Sequence, residues 1–81
     1  MDIAENEAQM PVQQLADESQ WYSIRAMRDA YLRSTDWLVL KYQETQGAIP
    51  DELKQYRQAL RDLPQAYSSP SEVVWPARPE L

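Results

Sequence analysis

Apolar positions recur at helical spacing in two separate stretches of this chain. Trp21, Ile24, Met27, Tyr31, Leu32 and Thr35 fall on one broad face at 3.6 residues per turn, which predicts a helix over about 18–34. Asp17, with Gln20 three residues later, fits a capping-box start for it. Ser34-Thr35-Asp36 is poor helix interior and good cap, so the helix is expected to stop, kink or restart there. A short second helix over 37–45 follows, with a strand through Trp37-Leu38-Val39-Leu40 as the alternative. Gly47, the only glycine, supplies the permissive backbone for a C-cap or turn.

The second stretch opens on Ile49-Pro50-Asp51-Glu52, a proline followed by two acids that favour the positive end of a helix dipole. Leu53, Tyr56, Leu60 and Leu63 then form a stripe over 51–63, with Arg57 on its flank, and Pro64 forbids simple continuation. Pro64, Pro70, Pro76 and Pro79 make the remaining tail extended or turned. Within it Val73-Val74-Trp75 offers an apolar anchor between proline-stiffened segments. The fold class these patterns predict is all-α: a small antiparallel helical hairpin of two to three helices, with an extended Pro-rich C-terminal arm packed on it.

Charge changes how the ends are read. The net charge is −5, yet residues 1–18 carry five acids and no base, while residues 19–81 carry eight acids and eight bases. The folded part is therefore neutral, and binding nucleic acid through a broad basic surface is disfavoured. Residues 1–16, polar and acidic with scattered apolar positions, are expected to form a disordered leader, and 17–81 the domain. The first residues have neither the basic start nor the apolar run of a secretory signal, and Trp37-Leu38-Val39-Leu40 is far too short to span a membrane.

Composition also restricts the chemistry. With no cysteine and no histidine there is no disulfide, no thiol nucleophile, no imidazole base, and no ordinary zinc site. A single glycine cannot build a phosphate-cradling loop. Neither enzymatic activity nor a cofactor is expected. Three Trp and five Tyr, with no Phe, suit a thin fold or an interface because each ring pairs an apolar body with a polar handle.

Three charged positions stand out. Arg28 lies among apolar residues and must either snorkel or find a carboxylate, with Asp36 and Asp62 available. Arg57 and Arg61 sit one turn apart, a geometry that grips a carboxylate of another chain or, the favoured reading, Asp36 at the end of the first helix.

Taken in order, Arg28-Asp29, Leu32, Thr35-Asp36-Trp37, Tyr56-Arg57-Gln58-x-Leu60-Arg61-Asp62-x-Pro64 and Trp75-Pro76-x-x-Pro79 form a set that resembles the phage tail assembly chaperone-like family. The likeness spans Trp21 to Pro79. It departs from the family pattern at 38–47, which is longer and more apolar than the expected short polar link. The resemblance implies an accessory of phage tail or tail-fibre assembly that acts by protein–protein binding, in the host cytoplasm during assembly or with the virion tail. Its implied partner is a tail or tail-fibre protein, with self-association left open and no nucleic acid or membrane involved. The residues implied to hold structure or partner are Arg28, Asp36, Trp37, Tyr56, Arg57, Arg61, Asp62, Trp75, Pro76 and Pro79. A minor structural subunit of the virion is the nearest alternative, and a small acidic inhibitor of a host enzyme a more distant one.

Overall fold

The computed structural model describes residues 12–80. A 35-residue helix, α1 (Val12–Gln46), is followed by α2 (Asp51–Arg61), the single-turn α3 (Leu63–Ala66) and a 3-10 turn (Pro70–Glu72). The segment beyond has no regular structure, and no strand occurs among the described residues. The protein is all-α.

The interruption expected at Ser34-Thr35-Asp36 is absent, since α1 runs through it. The hydroxyls turn back onto the helix itself: Ser34 Oγ donates to the Tyr31 carbonyl at 2.7 Å and Thr35 Oγ1 to that of Leu32 at 3.0 Å. Back-bonding of this kind satisfies a hydroxyl without ending the helix. Thr35 is also completely buried, so its environment overrides its weak helix preference. The separate helix over 37–45 and its strand alternative are thus both replaced by continuous α1.

The helix also starts earlier than the capping pattern suggested. Asp17 and Gln20 lie inside α1, and Asp17 accepts a hydrogen bond from Gln13 Nε2 at 2.8 Å, one turn away. Residues 12–16 of the expected leader are helical, and residues 1–11 lie outside those described.

Gly47 ends α1 with φ +74, its amide donating to the Gln43 carbonyl at 3.2 Å. The chain then folds back along α1. The Pro50 carbonyl accepts the amides of Leu53 and Lys54 at 3.1 Å each, opening α2. At Asp62 the chain breaks by one residue and restarts as α3, whose first turn contains Pro64. The tail is accordingly less extended than its prolines implied. Pro64 and Pro70 each sit in the first positions of a short helical turn, where a missing amide costs nothing.

The buried residues Tyr56, Leu60 and Leu63 form one cluster, against which Leu32, Tyr67, Val73 and Trp75 pack. Leu38 and Leu53 are buried as well. All of this lies against the C-terminal half of α1. None of residues 12–27 is buried, so the first half of the helix projects beyond the packed region.

Candidate interaction site

Arg57 joins the two long helices. Its Nη1 donates to the Leu32 carbonyl at 2.9 Å and to Thr35 Oγ1 at 2.7 Å, while Nη2 lies 2.9 Å from Asp36 Oδ1. Every acceptor is on α1, on consecutive turns facing α2. The guanidinium side chain is 18% exposed and the Asp36 carboxylate 57%, so the buried end of the network is the hydroxyl and carbonyl and the wet end is the ion pair. Thr35, which the sequence marked as part of the apolar face, of the capping run and of the family-like set, is the one buried polar side chain among the described residues. It relays Arg57 to the helix backbone.

The other charged positions do not join this network. Arg28 Nε contacts the neighbouring Asp29 Oδ1 at 3.0 Å rather than Asp36 or Asp62. Asp36 lies eight residues further along the same helix, about 12 Å at 1.5 Å per residue, and is held by Arg57, while Asp62 Oδ1 accepts from Gln58 Nε2 at 2.9 Å. Gln58 in turn accepts from Arg61 Nη2 at 2.8 Å, making Arg61-Gln58-Asp62 an exposed string along α2.

Tyr56 belongs to the core, and Trp75 packs on it, half-buried. Trp75 also meets the ring of Tyr31 edge-on, centroids 5.2 Å apart, a favoured aromatic geometry. The Tyr67 hydroxyl donates to the Val74 carbonyl at 3.3 Å, and Arg78 Nη1 to Ser34 Oγ at 3.2 Å, so the tail is tied to both the short helix and α1.

Trp37 is 57% exposed, with the Lys41 ammonium 5.8 Å from its ring. It lines a shallow groove with Leu38, Lys41, Arg78 and Pro79, whereas Pro76 borders a different hollow beside Trp75 and Ala59. The ten residues implied by the family resemblance therefore do not converge on one pocket. They divide among a core, a helix-to-helix clamp, an exposed string and a groove beside the arm, with Arg28 apart beside Asp29 and Pro76 at its own hollow. No acidic cluster suited to a metal ion occurs among the described residues.

Two surfaces are available for another polypeptide. One is an open cleft of about 430 Å³ with Val39 and Ile49 on its floor and Lys54, Arg57 and Arg61 at its edge. The sequence offered Arg57 and Arg61 for it, and nothing marked Val39 or Ile49 as its floor. The other is the projecting half of α1, where Trp21 and Ile24 continue the covered apolar face and Leu15, Tyr22 and Met27 are exposed beside it. The hollow next to Trp21 is lined by Glu18, Tyr22 and Arg25 of the same helix.

A family model for the phage tail assembly chaperone protein matches residues 21–80. The chain belongs to that family. No curated protein and no solved structure shows significant similarity to it.

Proposed function

We propose that this protein acts during phage tail assembly in the host cell by binding a tail or tail-fibre polypeptide, without turnover, through the projecting half of α1. Family membership supports the assembly role. The observation that carries the choice of surface is the apolar face of α1, which α2, α3 and the arm cover only over its C-terminal half. Half-buried Trp21 and Ile24 and exposed Met27 extend that face beyond the cover of α2, α3 and the arm, and an apolar stripe left partly open is the surface an unassembled client would require. A helix presenting anchors at three- and four-residue spacing docks into, or receives, a second amphipathic element.

Co-expression with the tail-fibre protein of the same phage tests this. The client is expected to become more soluble and to co-purify with the chain. Trp21→Asp with Ile24→Asp is expected to abolish co-purification while leaving the thermal midpoint within a few degrees, because neither side chain is in the core. Co-purification unaffected by that pair would remove the proposed surface. Finding the protein in purified particles at fixed stoichiometry would instead make it a structural subunit.

A further inference from the structure

The cleft between α1 and α2 combines an apolar floor with an excess of positive charge. Val39 and Ile49 are half-buried there, and Lys54, Arg57 and Arg61 approach from α2. Of these three, only Arg57 has a carboxylate partner among the described residues; Arg61 is bonded to the neutral Gln58, and Lys54 forms no ion pair with a described residue. Two exposed cations beside an apolar floor fit an extended or helical segment bearing acids and aliphatic side chains.

The chain itself contains such a segment. Residues 1–11 hold Asp2, Glu5 and Glu7 and no base, together with Ile3 and Met10. Charge and hydropathy both match the cleft. Geometry puts the apolar floor of the cleft out of reach of these residues within one molecule. Val39 lies about 40 Å from Val12 along α1 at 1.5 Å per residue. Glu5, seven residues before Val12, reaches at most about 25 Å from it even in a fully extended chain.

We propose that the Val39–Ile49 cleft receives the acidic segment 1–11 of a second copy of this chain. The contact is heterologous, the leader of one copy in the cleft of the next, so repetition yields a ring or an open chain of subunits rather than a two-fold dimer. Lys54 and Arg61 face the acids, and Ile3 and Met10 cover Val39 and Ile49. The exposed ionic part makes the association strongly dependent on salt.

Sedimentation equilibrium of the full chain tests this without any client. At low ionic strength the weight-average mass is expected to rise with concentration and to fall back towards the monomer on adding salt. Lys54→Glu with Arg61→Glu, both exposed, should weaken association at least about tenfold with unchanged helix content, since attraction becomes repulsion at two positions. A leader with Glu5→Lys and Glu7→Lys should likewise fail to self-associate. Mixing that variant with the charge-reversed cleft variant should restore pairing, because the native leader of the cleft variant meets the native cleft of the leader variant and the two reversed surfaces also complement each other. Combining all four substitutions in one chain should restore self-association. A monomer at every concentration overturns the proposal, as does association that ignores the cleft reversal or is not restored in the fourfold variant. Association lost on Trp21→Asp but not on cleft reversal would place the contact on α1 and equally overturn it.

Discussion

Arg57 is unequal in its two directions, and that inequality gives a testable order of effects. Towards the interior it is bonded to Thr35 Oγ1 and the Leu32 carbonyl, and towards solvent to Asp36. A half-exposed ion pair contributes less than about 1 kcal/mol, whereas leaving a buried polar group without its partner costs about 1–3 kcal/mol. Arg57→Ala is therefore expected to destabilise clearly more than Asp36→Ala in urea unfolding. Thr35→Val should fall near Arg57→Ala, and the Arg57–Thr35 double-mutant cycle should show the larger coupling. Equal losses for Asp36→Ala and Arg57→Ala would mean that the ion pair, not the hydroxyl relay, sets the clamp. Trp75 is the second residue of this kind. It is half-buried and meets Tyr31 and the core, so Trp75→Ala is expected to cost about 3 kcal/mol, the lower end for a buried tryptophan. Thermal unfolding followed by tyrosine and tryptophan fluorescence measures it, and a change under about 1 kcal/mol would make the arm an appendage.

At the scale of elements, the return of the chain at Gly47 sets how α2 meets α1. Gly47 has φ +74, and a Cβ placed there would meet nothing within 4 Å, so substitution costs backbone strain without a clash. Gly47→Ala should destabilise by about 1 kcal/mol and Gly47→Asn by less, because asparagine tolerates the left-handed region. Equal midpoints for the two variants would argue that the turn relaxes out of that conformation. This element was legible in the sequence, as were α2 and its Leu53-Tyr56-Leu60-Leu63 stripe, because glycine, proline and apolar spacing act locally. The continuity of α1 was not. Ser34 and Thr35 carry a local preference for capping, and what decides against it is burial of Thr35 beneath α2 and its bond to Arg57, 22 residues away. The same limit applies to Arg28, which contacts Asp29 because the unbroken α1 carries Asp36 two turns away from it. The cleft floor at Val39 and Ile49 shows it again, since two apolar residues acquire meaning only when α2 brings Lys54 and Arg61 beside them.

The described residues form an elongated body, 65 × 20 × 15 Å, with a radius of gyration of 18.1 Å. A compact chain of this length would have about 12 Å. The difference follows from α1, about 52 Å long at 1.5 Å per residue, against α2 of about 16 Å. One short helix cannot cover a helix three times its length. The arm extends the cover as far as Tyr31, through Trp75, and the residues before Met27 have no buried side chain. Stability is therefore unevenly distributed. The packed half unfolds by losing its core, whereas the projecting half is held by its own hydrogen bonds and by continuity with α1, and an isolated helix of that length is marginal in water. On warming, far-ultraviolet circular dichroism should begin to fall before the near-ultraviolet signal of the Tyr31–Trp75 contact is lost. Hydrogen exchange should likewise show amides of 13–27 opening faster than those of 32–42. Binding of a client to Trp21 and Ile24 should bring the two transitions together, since the projecting half then gains the burial it lacks alone. Coincident transitions in dilute, salt-screened protein, with uniform exchange along α1, would mean that the first half of the helix is already covered, and that it is not the free surface proposed for the client.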